Sequence, residues 1–276
     1  MNMKKLFIAT ATLALVACGN SANTSSNESA STNEASSTEE KDHLARIKEA
    51  GQLRVGLEGN WQPFSFEEDG KIVGYDVEIG QAIADHLGVE LVVTPTPWDN
   101  LFLGLDADTI DLVINGVDVT EDRKKTYDFS DAYLYDKAVL IVRDDEEAIT
   151  QFEDLDGKKT ANSIGSTYME IGESYGATVE GVETLDQTLE MLANEQVDAT
   201  INSDASYQDY MKTHGGNFKV VDETSTYMAI PFVKGGDNDT LMAEVNATIA
   251  ELQSSGKLKE LSEKYFEEDK TQPYGD

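Results

Sequence analysis

Two periods of apolar residues divide the chain from residue 42 onward. "DHLARIKEAG" (42–51) places Leu44, Ile47 and Lys48 on one face of a short helix, with Gly51 as a left-handed cap after its end. "LRVGLEGNWQPFSFEE" (53–68) alternates at first like a strand and breaks into a loop at Glu58 to Pro63. "DVEIGQAIADHLG" (76–88) sets Val77, Ile79, Ile83 and Leu87 at helical spacing before Gly88, and "VELVV" (89–93) returns to alternation. A strand, helix, strand succession predicts a mostly parallel sheet covered by helices, an α/β fold. Further along, Lys159 to Asn162 reads as a strand and Ser163 to Ser166 as a turn. The next helix opens with Thr167 and Glu170 in a capping-box pattern.

One stretch resembles another. "LGLDADTIDLVIN", ending at Asn115, aligns with "EMLANEQVDATIN", ending at Asn202, at a constant offset of 87 residues. Leu105, Ile110, Asp111, Ile114 and Asn115 match Leu192, Val197, Asp198, Ile201 and Asn202. Either this is chance likeness between two helix-strand units, or each half of the molecule owns an equivalent strand. In the second case the residues just past those strands face a shared crevice, where ligands of open α/β sheets sit.

The first 41 residues have a different character. Lys4 and Lys5 precede a 12-residue apolar run, Leu6 to Ala17, and Cys18 follows at once. That run is too short to span a bilayer and reads as an export signal over 1–17. "LVAC" resembles a lipobox, in which the Cys18 thiol receives a diacylglyceryl group; the alternative is an ordinary signal peptide with a chance cysteine. Cys18 is the only cysteine, so no intramolecular disulfide is possible. Residues 19–40 hold no aromatic and no large aliphatic side chain. They cannot bury enough surface to offset their ordering entropy, so 18–41 is expected to be a disordered tether with a reach on the order of 25 Å.

Charge narrows the partners. With 53 acidic against 21 basic residues and a formal net charge of -32, the chain is a poor match for a phosphate backbone, and no nucleic acid is expected. The three histidines, His43, His86 and His214, show no metal-ligand spacing, and no HExxH, GxSxG or phosphate-binding glycine loop occurs. No metal, cofactor or catalytic residue is expected. "DLDG" and "GGDND" carry calcium-loop acids without the terminal glutamate and read as turns.

Binding chemistry is better represented. In "NGVDVTEDR" (115–123), Thr120 can cap a short helix that holds Arg123 one turn in, close to Asp118. A guanidinium grips a carboxylate through two parallel hydrogen bonds and a carboxylate takes an ammonium, so the pair suits a zwitterion. An internal Asp118–Arg123 salt bridge is the alternative. The helix start near Ser166 and Thr167 offers free N–H groups for an anion, with Gly165 permitting close approach; plain capping is the other reading. Trp61 and Trp98 lie at strand exits, where large flat faces either cover a ligand or join the core.

Together "GQLRVGLEGNWQPFSF", "GKIVGYDVEIGQAIADHLG", "PWDNLFLGL", "IDLVINGVDVTEDRKKTYDFSDAY", "SIGSTY", "VDATIN" and "GKLKELSEKYF" resemble the extracellular solute-binding proteins of polar amino-acid ABC transporters, over almost all of the chain past residue 42. The resemblance implies a two-lobed, type II periplasmic-binding-protein-like α/β fold. Lobe 1 would comprise 42–138 and 230–276 and lobe 2 139–229, joined by two crossing hinge strands near Lys137 to Ile141 and Tyr227 to Pro231. It implies that Arg123 holds the ligand α-carboxylate with Thr167 and the backbone near Ser166. Trp61 would stack on the ligand side chain with Trp98 opposite, and Asn115 and Gly116 would add polar and backbone contacts. Relatives often receive the α-ammonium on an aspartate of the second lobe. Here that position is Ser203, with Asp204 beside it, and Asp118, where relatives often have Ser or Thr, is expected to take the role instead.

Glu58 matches a position that faces the distal cation in binders of basic amino acids, and a second ammonium in cystine suits it equally. "INGVDVT" and "ANSIGSTY" look closer to cystine-type members. The expected function is a monomeric, non-enzymatic lipoprotein that captures a polar amino acid at the extracellular face of the membrane and passes it to an ABC permease. A lipobox with a Ser-rich tether points to a Gram-positive surface. The alternatives are a Lys/Arg/His binder of the same family or a cyclohexadienyl-dehydratase-like enzyme on the same fold. The absence of a catalytic domain after residue 276 is read against a lytic transglycosylase.

Overall fold

The computed structural model describes residues 42–274, so the expected signal peptide, Cys18 and the tether lie outside the described residues. The first helix, α1 (His43–Ala50), starts where the Asp42 carboxylate accepts the Ala45 N–H and ends on Gly51 at φ 70°. Its inward face is His43 and Ile47, with Leu44 half-buried and Lys48 exposed, which corrects the expected face. The imidazole can be buried because Asp111 and Asn238 satisfy both ring nitrogens, whereas the Lys48 ammonium would have to shed its water.

From there the first lobe builds β1 (Gln52–Leu57), the hairpin β2 (Phe66–Glu68) and β3 (Lys71–Val73), α2 (Tyr75–Leu87), β4 (Glu90–Pro95), α3 (Trp98–Asp106) and β5 (Leu112–Val113). β1 is central, running parallel to β4 and β5 with Val55 opposite both Val93 and Leu112. Leu53, Val55 and Leu57, which alternate along the strand and so share one face, are all fully buried. A single turn, α4 (Arg123–Thr126), and β6 (Tyr127–Phe129) follow.

The second lobe repeats the pattern. After β7 (Leu134–Arg143) and a short 3-10 turn come β8 (Lys159–Asn162), α5 (Thr167–Ser174), β9 (Thr178–Gly181), α6 (Leu185–Ala193) and β10 (Thr200–Ser203). β8 pairs parallel with β9 and bridges in parallel to Ala199 at the head of β10, so β9, β8 and β10 stand as β4, β1 and β5 do. The internal likeness is therefore architectural. Asp111 accepts the Arg54 N–H at 2.7 Å and Asp198 accepts the Lys159 N–H at 2.8 Å, each pinning its strand to the start of the central one.

α7 (Asp204–His214) leads into β11 (Phe218–Met228), which runs antiparallel to β7 from Leu134 opposite Met228 to Arg143 opposite Phe218. β12 (Pro231–Val233) pairs with β6, and α8 (Asp239–Ser255) and α9 (Lys257–Phe266) return to the first core through Leu241, Val245, Ile249, Leu258 and Leu261. The two hinge strands are present, but the change of core comes earlier than expected. Leu134, Met228 and Ile230 pack with the first lobe, while Ala138 to Val142 and Val221 pack with the second. Ala138 thus lies in lobe 2 and Met228 in lobe 1, and the crossings fall within 135–137 and 222–227. One continuous β-ladder carries no sequence mark where its side chains exchange one core for another.

Candidate functional site

The loops that leave β1, β5 and β8 at their carboxyl ends converge on a cavity of about 50 Å³ between the lobes. Glu58, Trp61, Trp98, Gly116 and Asp118 reach it from the first lobe, Ser166 and Thr167 from the second. Trp61 is held flat on Phe64, with ring centroids 4.1 Å apart and planes 14° apart. Its edge lies over Gly116, whose φ is 50° and where an added Cβ would stand 2.6 Å from the ring. Glycine is needed there twice over, for the left-handed backbone and for the close approach.

Arg123 opens α4, and its N–H donates to the Thr120 hydroxyl at 3.2 Å. The guanidinium crosses the cleft: Nη1 donates to the Asp118 carbonyl and to Thr167 Oγ1, both at 2.9 Å, and Nη2 donates to the Gly165 carbonyl at 3.1 Å. Its carbon lies 5.3 Å from the centroid of Trp98 and 5.7 Å from that of Phe102, so aromatic faces carry part of its charge. Of five guanidinium donors, those three bonds leave one on Nη2 and the Nε–H. Arg123 therefore links the lobes through Thr167 and Gly165, and the side chains that line the cavity are its neighbours Trp98, Asp118 and Thr167.

The Asp118 carboxylate is not the partner of that guanidinium. It is 4% exposed, and Oδ1 is buried with no hydrogen-bond partner. Burial pushes its carboxyl up to about 6, against the field of Arg123 and the neighbouring Thr226 and Thr167 hydroxyls, which pull the other way. A buried acceptor left empty costs about 1–3 kcal/mol, which a donor arriving with a ligand would recover.

Glu58 has a related environment. Its Oε2 accepts the Asn115 amide at 2.8 Å and its N–H donates to Asn115 Oδ1 at 2.8 Å. Burial raises Glu58 to about 7; the Asn115 bond lowers it and the charge of Asp99 adds to the rise. Asn115 is fully buried with both ends of its amide spent on Glu58, so it orients that carboxylate instead of lining the cavity.

Three other expectations need correction. The N-cap of α5 is Ser166, whose hydroxyl accepts the Met169 N–H at 3.1 Å; Thr167 is the first helical residue, which frees its hydroxyl for Arg123. Ser203 is fully buried, caps α7 and donates to Asp136. Asp204 faces another groove, where it accepts from Gln208 and lies 3.5 Å from Lys270 Nζ. Neither lines the cavity. The sequence reading also missed Asn60, Ser163, Tyr168, Glu183, Thr184 and Asn202, all of which do. Asn202 closes the second copy of the internal repeat, and Thr184 with Gln187 forms a capping box readable in "TLDQ". Glu183 and Asn60 have no local signal.

Among the described residues one cluster, His43, Asp108 and Asp111, has metal-ligand spacing. Arg54 already occupies it, pairing with Asp111 at 2.6 Å and Asp108 at 3.3 Å, so the cationic position is filled by the chain itself.

Residues 53–268 match the bacterial extracellular solute-binding proteins, family 3. The chain belongs to that family. Among its relatives this solute-binding protein is 35% identical to the L-cystine-binding protein TcyA of Bacillus subtilis over 267 residues, 96% of either chain. It is 37% identical to the L-cystine-binding protein TcyJ of Escherichia coli over 235 residues, 83% of this chain and 87% of that one. A mutant of ArgBP from T. maritima superposes with a TM-score of 0.74 at 33% identity, covering 82% of this chain and 100% of that one. The two-lobed fold of this solute-binding protein is thus the type II amino-acid-binding architecture, and the relatives named are binding proteins.

Proposed function

We propose that the chain captures an amino acid of the cystine type in the interlobe cavity and delivers it to a membrane-embedded ABC permease. The observation that carries this reading is the buried Oδ1 of Asp118 without a hydrogen-bond partner, in a cavity whose Asp118 and Thr167 both hold Arg123. An α-ammonium fits the Asp118 oxygen, and an α-carboxylate fits the remaining Arg123 donors and the first-turn N–H groups of α5. Trp61 and Trp98 supply apolar faces for the side chain, and Glu58 offers a carboxylate to a second cation. The L-cystine-binding relatives favour cystine. Glu58 also suits lysine or arginine, so basic amino acids are the second reading.

Titration calorimetry with cystine, lysine, arginine, glutamine and histidine decides between them, with cystine expected to bind most tightly. In Asp118→Asn the affinity is expected to fall at least tenfold, since removing one partner of a desolvated charge pair costs about 2–5 kcal/mol. Unchanged affinity in that variant would remove Asp118 from the ammonium site.

We further infer that the protein works as a monomer on a lipid anchor at Cys18, on a Gram-positive surface where no outer membrane retains a free receptor. Mass spectrometry of the mature N-terminus checks the anchor: a cysteine without acyl mass excludes it.

A further inference from the structure

Trp61 and Gly116 meet at the floor of the cavity, and both are fastened from behind at one residue that does not line it. Asp76 lies in the first turn of α2 and is fully buried. Its N–H donates to the Phe64 carbonyl at 3.0 Å, and the Phe64 ring is the one on which Trp61 lies flat. Gly74 permits that approach of helix to loop: its φ is 134°, and a Cβ there would stand 2.2 Å from the Phe64 carbonyl oxygen. On its other side, Asp76 Oδ1 accepts the Tyr133 hydroxyl at 3.0 Å. The Gly116 N–H lies beside both the Asp76 carboxylate and the Tyr133 hydroxyl and lowers the pKa of each, while Asp76 Oδ2 is buried with no hydrogen-bond partner. A buried acceptor with capacity to spare draws a neighbouring donor towards it.

We propose that Asp76 is a positioning residue for ligand binding: its carboxylate draws the Gly116 N–H towards α2 while its own N–H holds Phe64, so that Trp61 and the 115–118 loop are set from a single point. The inference rests on the reading that this cavity takes the ligand. The far side of the same loop is tied to the hinge, where the Val117 carbonyl accepts the Ala229 N–H and the Val119 N–H donates to the Tyr227 carbonyl, both at 3.1 Å. Gly116 therefore lies between two anchors, and the loop that they stretch carries Asn115, which orients Glu58, and Asp118 itself. A site wall is only as precise as the groups that support it from behind.

This anchor has a charge state of its own. Burial raises the Asp76 carboxyl to about 7, against the Tyr133 and Gly116 hydrogen bonds, which lower it. The titratable side chains that face it are the phenols of Tyr75 and Tyr133, each pushed well above its ordinary value by burial and by the Asp76 charge, so both stay neutral. An ionised carboxylate is a stronger acceptor than a neutral one, so the hold on Gly116 is full above about 7 and weaker below it. Asp118 and Glu58 titrate close by, at about 6 and about 7, so the contact is best read at Gly116 directly.

The amide signal of Gly116 in the ligand-free, glycine-15N-labelled protein gives that reading; among 21 glycines it is identified by its loss in Gly116→Ala. Its proton is expected to move downfield as pH rises, with a midpoint near 7. The transition is expected to persist in Glu58→Gln and in Asp118→Asn and to vanish in Asp76→Asn. Tyr133→Phe, which removes a donor that holds the carboxyl down, is expected to move the midpoint upward. In calorimetry with cystine and with arginine, Asp76→Asn is expected to weaken binding about tenfold at pH 8 and less than about threefold at pH 5, where the wild-type carboxyl is already neutral. A Gly116 signal that does not titrate, or that titrates identically in Asp76→Asn, overturns the proposal. So does an equal loss of affinity at both pH values, which a purely structural role would give. If the wild-type chain binds neither amino acid, the binding reading of the cavity falls, and the Gly116 titration alone still decides whether Asp76 holds the loop.

Discussion

Three carboxyl groups show how place decides chemistry. Asp111 is held down to about 2: burial opposes ionisation, but hydrogen bonds from His43 and Arg54 and the Arg54 charge more than offset it. Asp118 and Glu58 are raised to about 6 and about 7 because burial meets too little compensation. The signs differ accordingly. Asp111 contributes stability that is present above its unfolded value near 4 and lost as pH falls through about 2. Asp118 and Glu58 contribute stability that is complete below about 4 and lost as pH rises through about 6 to 7. Replacing Asp118 with asparagine removes its share of that loss. In the ligand-free protein, the melting temperature of Asp118→Asn minus that of the wild type is therefore expected to rise from pH 5 to pH 8; a flat difference would mean that Asp118 titrates normally. Ligand binding should show the opposite trend, weakening as pH falls through 6, because an ammonium needs the ionised carboxylate.

At the level of elements, the site is made by strand ends. β1 and β5 stop after burying their apolar residues, and the loops that follow carry Glu58, Trp61, Gly116 and Asp118 to one place. Tyr133 donates to the fully buried Asp76 at the start of α2, tying that helix to the hinge side of the same lobe. Gly116→Ala tests the fit between loop and aromatic. The left-handed backbone alone is expected to cost about 1–2 kcal/mol, and the methyl must displace Trp61, so affinity should fall together with stability. A variant with full affinity would show that Trp61 is not held against the ligand from below. Helices, strands and the twofold repeat were legible because apolar spacing reflects local geometry. The cap of α5 was misplaced by one residue, since Ser166 and Thr167 are equally good caps in isolation and Arg123 settles the choice by occupying the Thr167 hydroxyl.

Across the whole molecule, the segment after α9 is a strap over the hinge. Lys270, 2% exposed, donates to Asp136 at 3.0 Å and to the Tyr274 hydroxyl at 3.0 Å, and the Tyr135 N–H donates to the Lys270 carbonyl at 2.8 Å. Asp136 is fully buried on β7 where the chain passes between the lobes. Lys270→Met leaves that carboxylate without its cation and is expected to destabilise the fold by about 3–5 kcal/mol. Adding Asp136→Asn should restore most of the loss, as read by denaturant unfolding. If Lys270→Met unfolds like the wild type, the pair is not holding the strap.

The sequence by itself determined the α/β succession and the doubled strand unit, and it singled out Arg123, Asp118 and the two tryptophans as candidates, because each depends on spacing or on chemistry visible within a few residues. Only the tertiary structure decided that Asn115 serves Glu58, that Ser203 and Asp204 turn away, and that Glu183 enters the cleft. Those outcomes depend on which side chain from a distant element claims a given hydrogen bond or a given volume, and that competition exists only once the two lobes have been brought together.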